Sequence, residues 1–340
     1  MNSQNTKVKT FSAELHRAFI QGHEAFNAAR LIFCTTHERT DGDDLGTVLA
    51  LYHVLKSNGK TVRIGVKGGV PKQLRFLPSS DIVSEGFPVN FIPDTVITSG
   101  CSTLDRTGLT ELDFLHTKII NFDHHPDNTG FGQVNIVDPT CSSVAELAYW
   151  FLRKGNLNID PAVATCLLTG IITDTGSFLH SNTELSTLQV AGELMRKGAR
   201  VAQVAKHTFQ DKNTLTLKAW GKALQNTWFD AEKKMVCSVI TEADLAELGI
   251  LPPAVFEGLV ETINKIPEAK FAIFLRQDGQ KVKGSLRSDP NKLGGGIDVG
   301  TLAKLFGGGG HKFAAGFALP GKLIRTINNT WTIEQTQASI

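Results

Sequence analysis

The chain has 340 residues, 41% hydrophobic and 20% charged, which is typical of a globular chain long enough for two domains. Its 35 lysines and arginines nearly balance its 33 aspartates and glutamates, which excludes the basic surplus of a protein that wraps long duplex nucleic acid. No apolar run reaches the roughly 18 to 20 residues needed to cross a bilayer, and the start lacks a signal-peptide core. Five widely spaced cysteines favour reduced core thiols. We therefore expect a cytoplasmic protein without a membrane partner.

The first half of the chain alternates between strand-like and helix-like segments. The apolar and helical periodicities predict strands at 31–34, 61–66, 94–99, 118–122 and 135–137, and helices at 45–55, 142–153 and 161–173. Strands separated by helical crossovers imply a mainly parallel sheet with helices on both faces. The fold class is therefore α/β.

The second half begins with a helical stretch and continues as a smaller α/β unit. Residues 183 to about 217 have a polar helical pattern, and strands are predicted at 235–240, 270–275, 281–286 and 313–319, with helices near Glu242 and Val299. We predict a first domain over 12–190, a helical linker over 191–217 and a C-terminal domain over 218–325.

The turn after the first strand contains one imidazole and two carboxylates, in the pattern His37-x3-Asp41-x-Asp43. In open α/β folds, ligands bind at such turns. Imidazole and carboxylate donors suit Mn²⁺, Fe²⁺ or Zn²⁺, and carboxylates two residues apart can reach different ions of a pair about 3.5 to 4 Å apart. The alternative is structural, with Asp43 or Asp44 capping the helix.

Two further motifs add donors of the same kind. Asp123-His124-His125 follows a strand, and its two histidines can divide the work of binding a metal and contacting a phosphate or leaving group. Asp174 closes an apolar helix before a glycine turn, where metal ligation would offset the cost of burying its charge. For the triplet, a hydrogen-bonded turn is the alternative. Ser142 is predicted to cap the helix that follows, and Asp138 either orients a histidine or forms a turn.

Together these three motifs resemble those of the DHH phosphoesterases, a family named after a triplet like Asp123-His124-His125. A fourth motif, Gly307 to Gly316, is similar to the signature of the C-terminal domain that accompanies the DHH domain. The sequence looks most like the bacterial enzymes that degrade very short RNA and dephosphorylate 3′-phosphoadenosine 5′-phosphate. The resemblance thus implies a catalytic metal-binding domain followed by a substrate-binding domain.

The resemblance also implies a centre of two Mn²⁺ ions and assigns its residues. It gives His37 and Asp41 to one ion, gives Asp43, His124 and Asp174 to the other, and makes His125 and Asp123 the catalytic residues, with His125 beside the scissile phosphate. A pair of ions can activate water and neutralise the charge that develops on phosphate.

One position departs from the family pattern. The family carries a metal-bridging aspartate at the end of the strand that corresponds to 94–99, and this sequence has Gly100 in that place. Three explanations remain open: an introduced substitution that silences the enzyme, a natural loss of activity, or compensation by Asp105 or by a shifted turn at Ser99. We predict low turnover. Losing a residue that only supports the ligands lowers metal affinity or activity about ten- to hundredfold, and losing a bridging ligand should lower them at least as much.

The C-terminal domain contains candidates for phosphate binding. Backbone amides of Gly308, Gly309 and Gly310 can approach a phosphate closely, and His311, Arg287 and Ser288 add polar side chains. A planar guanidinium suits two-point phosphate recognition. The alternatives are a tight turn for the glycines and a solvated strand-end charge for Arg287.

The expected function is a metal-dependent phosphoesterase that acts on short oligoribonucleotides and 3′-phosphoadenosine 5′-phosphate. A cyclic-dinucleotide phosphodiesterase, a manganese pyrophosphatase and a catalytically silent nucleotide-binding protein are the alternatives. The near-neutral charge also favours short substrates, because long single strands usually need an extended basic groove. The sequence leaves a homodimer open.

Overall fold

The computed structural model describes residues 9–109, 117–207, 214–249, 253–292, 295–326 and 330–334. The chain divides into two compact units, Met1–Asp211 and Lys212–Ile340. In these described ranges, no helix combines the length and the apolar character needed to span a membrane. Residues 208–213 of the predicted linker lie outside the described residues, and the predicted domain boundaries stay predictions.

The first unit is built on a parallel sheet, and this confirms the predicted α/β fold. Its strands are β1 (Leu31–Thr36), β2 (Thr61–Val66), β3 (Ser84–Glu85), β4 (Thr95–Ser99), β5 (Lys118–Asp123) and β6 (Val134–Val137). They lie in the order β3-β2-β1-β4-β5-β6 and all pair in parallel. The order reverses at β1, which has β2 on one side and β4 on the other. Ligands of open α/β sheets bind outside the carboxyl ends of the strands at such a reversal.

Within the described part of the same unit, the chain forms six α-helices. They are α1 (Ala13–Ala28), α2 (Gly42–Ser57), α3 (Val144–Lys154), α4 (Pro161–Asp174), α5 (Leu185–Arg196) and α6 (Val201–Ala205). Side chains that accept backbone N–H groups cap α1 to α4 at their N-termini. The prediction that Ser142 caps α3 is wrong, because Ser143 is the cap and the Ser142 hydroxyl donates to Glu146 Oε2 at 2.7 Å.

Helices α2 and α4 approach each other closely through two glycines. A Cβ atom at Gly46 would overlap with the Cys166 carbonyl oxygen, and one at Gly170 would overlap with Ala145 and Asp43. Because both positions lack side chains, the backbones pack together without strain. This contact brings the N-terminus of α2 near the C-terminus of α4.

The sheet is buried on both faces, as the alternation of its side chains requires. Ile32, Ile97 and Ile120 join the large core that also contains the apolar sides of the helices. Phe33 and its neighbours on β4 and β5 point the other way, into a smaller cluster with Phe87, Phe91, Leu104 and Phe131 from the connecting segments. The strands read as continuous apolar runs for this reason. All five cysteines are buried and free of disulfides.

The second unit contains a mixed sheet with its own core on each face. Its strands are β7 (Trp228–Asp230), β8 (Met235–Ile240), β9 (Phe271–Asp278), β10 (Lys281–Ser288), β11 (Gly309–His311) and β12 (Ala314–Pro320), and a separate pair is formed by β13 (Lys322–Arg325) and β14 (Trp331–Glu334). The order is β11-β12-β10-β9-β8-β7, and only β8 and β9 pair in parallel. The helices are α7 (Thr214–Gln225), α8 (Glu242–Leu248), α9 (Leu259–Ile263) and α10 (Val299–Lys304). Val236 faces one core and Cys237 the other.

Candidate metal centre

Acidic and imidazole side chains converge at the carboxyl edge of the parallel sheet. His37 directly follows β1, Asp123 ends β5, and Asp174 ends α4. Two groups of potential ligands form within the described residues: His37, Asp41 and Asp44 make one, and Asp43, His124 and Asp174 make the other. In each group the ligand atoms lie within 4.8 Å of one another. The sequence-predicted ligands are thus brought together, with Asp44 added.

The first group is held in place by backbone contacts. His37 Nδ1 lies 2.8 Å from the carbonyl oxygen of Glu38, so the ring donates there and its Nε2 atom faces the acids. Nε2 lies 2.9 Å from Asp44 Oδ2 and 3.8 Å from Asp41 Oδ2. Asp41 is also the cap of α2, since its Oδ1 accepts the N–H groups of Asp43 and Asp44. Capping therefore uses one oxygen of Asp41 and leaves the other directed at His37.

The second group has the same organisation. His124 Nδ1 lies 3.2 Å from the Cys141 carbonyl oxygen, and its Nε2 lies 3.7 Å from Asp174 Oδ2. Asp43 accepts the first two N–H groups of α3, from Val144 at 2.7 Å and from Ala145 at 2.8 Å. Each carboxylate oxygen can accept more than one bond, so Asp43 remains able to bind a cation. A backbone carbonyl that fixes the tautomer of each imidazole is a common companion of metal ligation.

Helix geometry divides the acids at the N-terminus of α2, which are its cap Asp41 and the helical residues Asp43 and Asp44, between the two groups. Asp41 and Asp44 are three residues apart, so they lie on one side of the first turn, whereas Asp43 is rotated away from Asp44 by about 100°. From the sequence, Asp44 is expected only as a possible helix cap. Its three-residue spacing from Asp41 is the signal that could have identified it as a potential ligand.

The carboxylates of the two groups repel one another. Burial, together with the charges of Asp41 and Asp44, raises the pKa of Asp174 to about 8. Burial and the charges of Asp174 and Asp44 also raise the pKa of Asp43 well above its usual range. Burial opposes the charged form of His37, but its hydrogen bonds to Asp41 and Asp44 outweigh this effect and raise its pKa to about 10.

This donor set fits divalent cations. Four carboxylates and two imidazoles offer oxygen and nitrogen donors of the kind that Mn²⁺, Fe²⁺ and Zn²⁺ accept. A cation at each group would offset the repulsion that raises the pKa of Asp174 and Asp43.

The Asp-His-His turn beside the second group is tightly organised. Asp123 Oδ1 accepts the N–H groups of His124 and His125 and the His125 Nδ1–H at 2.6 Å, while its Oδ2 accepts Asn128 Nδ2 at 2.6 Å. Asp123 is fully buried, and burial would raise its pKa, but the hydrogen bond from His125 outweighs this and lowers it. Asp123 therefore orients His125 and stabilises its charged form.

Two other acids from the sequence analysis lie outside both groups. Asp105, considered as a substitute for the family's bridging aspartate, is exposed on a 3₁₀ turn at Leu104–Thr107. Asp138 Oδ1 accepts the N–H and hydroxyl of Thr140, which makes it a turn residue. Asp44 is the acid that lies against Gly100, because a Cβ atom there would overlap with its carboxylate.

The predicted substrate-binding residues belong to the second unit. Arg287 on β10 and His311 on β11 both pair with Ala314 of the strand between them, so the three side chains project from the same face. Arg287 Nε donates to Glu261 Oε1 at 2.8 Å. The Ser288 hydroxyl donates to the Lys270 carbonyl oxygen and accepts the Ile297 N–H, so this side chain is used internally.

The three glycines of this region differ in their surroundings. A Cβ atom at Gly308 would overlap with Gly316 and Phe317, and one at Gly310 would overlap with Ala314 and Ala315. Gly309 has open space beside it. Packing therefore explains the first and third glycines, while Gly309 has no neighbour that would exclude a side chain.

Comparisons with known proteins match both units. The DHH family N-terminal domain matches residues 31–171, and the DHHA1 domain matches residues 243–331. The chain is 30% identical over 290 residues to the bifunctional oligoribonuclease and PAP phosphatase NrnA of Thermus thermophilus, covering 85% of this chain and 84% of that protein. The protein of the same name from Bacillus subtilis is 25% identical over 287 residues, covering 83% and 87%.

A solved structure resembles most of the chain. The exopolyphosphatase-related protein from Bacteroides fragilis superposes with a TM-score of 0.83 at 25% identity and covers 92% of each chain. Its likeness extends over both units. The chain therefore belongs to the DHH family, with a DHH N-terminal domain followed by a DHHA1 domain.

Proposed function

We propose that this chain is a divalent-metal-dependent phosphoesterase that hydrolyses short oligoribonucleotides and 3′-phosphoadenosine 5′-phosphate. The observation that carries the proposal is the pair of ligand groups at the strand-order reversal. The relatives named as oligoribonuclease and PAP phosphatase, at up to 30% identity over most of the chain, support this substrate class.

His37, Asp41 and Asp44 would hold one cation, and Asp43, His124 and Asp174 the other. Bound there, a pair of divalent cations supplies activation of water and neutralisation of phosphate charge. The protein's own contribution is to hold the donors before any substrate arrives, through the backbone carbonyls behind His37 and His124. Mn²⁺ is our choice of cation, because mixed imidazole and carboxylate sites suit it.

His125 is the residue we propose to contact the substrate phosphate. Burial opposes its charged form, but the hydrogen bond and the charge of Asp123 outweigh this and raise its pKa. A protonated His125 can donate a hydrogen bond to a phosphate oxygen or a proton to the leaving group. Asp123 acts through His125 and is a positioning residue.

Arg287 and His311 are proposed to bind a phosphate or base of the substrate. They flank Ala314 on one face of the second sheet, and the space where Gly309 would carry a side chain is open. Glu261 holds one edge of the Arg287 guanidinium, which limits the orientations of the group. Ser288 contributes to this site by holding the loop at Ile297.

Low turnover is expected if the glycine at position 100 leaves the cation pair one carboxylate short. The Asp44 carboxylate beside Gly100 argues against that expectation. The wild-type rate therefore reports directly on whether a substitute ligand is present.

The test is Mn²⁺-dependent hydrolysis by the full chain across a panel of substrates: a diadenylate, 3′-phosphoadenosine 5′-phosphate, a cyclic dinucleotide, pyrophosphate and an RNA of about twenty nucleotides. We expect cleavage of the first two, abolished by chelation and reduced at least about ten- to hundredfold in His124→Ala. Asp81→Asn, an exposed control, should match the wild type. Preference for the cyclic dinucleotide, pyrophosphate or the long strand would contradict the proposal, and so would Mn²⁺-independent cleavage or binding without cleavage.

A further inference from the structure

The Asp44 carboxylate lies where a side chain of residue 100 would be. A Cβ atom built at Gly100 would overlap with both carboxylate oxygens of Asp44. Ser99, the last residue of β4, donates its hydroxyl to Asp44 Oδ1 at 2.8 Å. The Asp44 carboxylate therefore reaches from α2 to the carboxyl end of β4 and fills the space where a side chain at position 100 would begin.

The backbone at Gly100 suits glycine for a second reason. Its φ angle is +63°, in the left-handed region that other residues rarely adopt. Its N–H donates to the Phe122 carbonyl oxygen at 3.0 Å, which ties this conformation to β5. A glycine here thus allows the turn and leaves room for Asp44.

Asp44 is buried, and both of its carboxylate oxygens have a partner at the first ligand group or at the end of β4. It is 3% exposed, with Oδ1 held by Ser99 and Oδ2 lying 2.9 Å from His37 Nε2. Asp105, the substitute that the sequence suggests, is exposed and belongs to neither group.

We propose that Asp44 supplies, from helix α2, the metal-binding carboxylate that the DHH resemblance places at position 100, and that Gly100 is the residue that makes room for it. Relative to the pattern that the resemblance implies, the acid lies on helix α2 and position 100 at the strand end has no side chain, an arrangement that we call the exchange. The inference rests on the proposed metal-dependent function and identifies one of its ligands.

The first experiment measures Mn²⁺ binding to the metal-stripped full chain by titration calorimetry, without substrate. The wild type should bind two Mn²⁺ per chain. Asp44→Asn keeps the size of the side chain and the Ser99 contact but removes the charge, and it should weaken Mn²⁺ binding at least about tenfold or abolish one site. Asp105→Asn is the matched control and should bind as the wild type does. Unchanged stoichiometry and affinity in Asp44→Asn would overturn the proposal.

The second experiment tests the exchange itself with Asp44→Ala, Gly100→Asp and the double variant. Each single change should weaken Mn²⁺ binding, the first by removing the ligand and the second by overlap with Asp44. The double variant should recover affinity to within a few-fold of the wild type, as coupled neighbouring positions do in a mutant cycle. A double variant that binds no better than Asp44→Ala would refute the exchange.

Thermal unfolding of every variant without metal separates misfolding from ligand loss, and Asp44→Asn decides the question if Gly100→Asp fails to fold. The two proposals can fail separately. A wild type that binds two Mn²⁺ through Asp44 but cleaves no short oligonucleotide contradicts the proposed function alone. Wild-type cleavage with an unaltered Asp44→Asn titration contradicts this inference alone, and a wild type that binds no Mn²⁺ contradicts both.

Discussion

His37 Nε2 and Asp44 Oδ2 lie 2.9 Å apart and join the turn after β1 to the first turn of α2. The same two atoms are candidates to bind one cation, so a proton and a metal ion compete for the Nε2 atom of His37. This competition makes metal binding depend on pH in a direction that the structure fixes.

Mn²⁺ binding should release protons at neutral pH. Without metal, His37 with a pKa of about 10 and Asp174 with a pKa of about 8 both carry protons at pH 7, and both must lose them to bind a cation. Affinity should therefore rise as the pH increases from about 6 to about 8. Calorimetry at pH 7 in two buffers with different ionisation enthalpies measures the released protons, and equal heats in both buffers would contradict the prediction.

Asp123→Asn should slow catalysis by changing His125. An asparagine has one acceptor oxygen, so it cannot accept hydrogen bonds from both His125 and Asn128 as the two oxygens of Asp123 do. The substitution also removes the negative charge of Asp123, which raises the pKa of His125. We expect kcat to fall about a hundredfold or more, with its alkaline limb shifted to lower pH. Asp127→Asn, an exposed neighbour, is the control. An unaltered pH profile would show that Asp123 does not act through His125.

Glu146→Gln should destabilise the first unit without touching the ligand groups. Fully buried Glu146 accepts hydrogen bonds from Ser142, Ser186 and Thr187 and lies 3.4 Å from Lys9 Nζ. Losing its charge should cost about 2 to 3 kcal/mol of unfolding free energy at pH 7. Urea denaturation measures the loss, with exposed Glu24→Gln of α1 as the control.

The same variant has a defined pH dependence. Burial would raise the pKa of Glu146, but Lys9 and the hydrogen bonds of Ser142 outweigh this and lower it. A carboxylate with a lowered folded pKa stabilises the fold above its unfolded pKa of about 4.3 and loses this effect as the pH falls through the folded pKa. The difference between wild type and Glu146→Gln should thus stay constant from pH 7 to about 5 and shrink below about pH 4. A difference that grows in acid would contradict the assignment.

Arg287→Ala should raise KM for a dinucleotide about tenfold or more and leave kcat nearly unchanged, because it removes a charged hydrogen bond formed equally in the ground and transition states. Lys281→Ala, at the exposed other end of β10, is the matched control. Steady-state kinetics give both constants. A fall in kcat of about tenfold with an unchanged KM would show that Arg287 acts in the chemical step and not in substrate binding.

Apolar periodicity predicted several regular elements closely, although it did not lead to helix α1 (Ala13–Ala28). Strand β2 has the predicted bounds, Thr61–Val66, and α4 ends one residue beyond its predicted end. Short edge elements such as β3 (Ser84–Glu85) and the β13–β14 pair were missed, because two to four residues give too little periodicity.

The site was predictable as a set of residue types but not as a set of contacts. Asp44 was expected only as a possible helix cap; its spacing from Asp41 suggests a ligand, but its contact with Ser99 depends on the position of β4. Gly100 could be recognised as a missing acid, yet its contact with Asp44 joins positions far apart in the chain. Such long-range pairs are not visible in local patterns.

The central claim is that the two ligand groups at the edge of the parallel sheet hold a pair of divalent cations. Anomalous diffraction at the manganese edge from crystals grown with Mn²⁺ tests it most directly. The account predicts two peaks, one among His37, Asp41 and Asp44 and one among Asp43, His124 and Asp174. Peaks elsewhere, or no peak at either group in crystals that contain Mn²⁺, would contradict it.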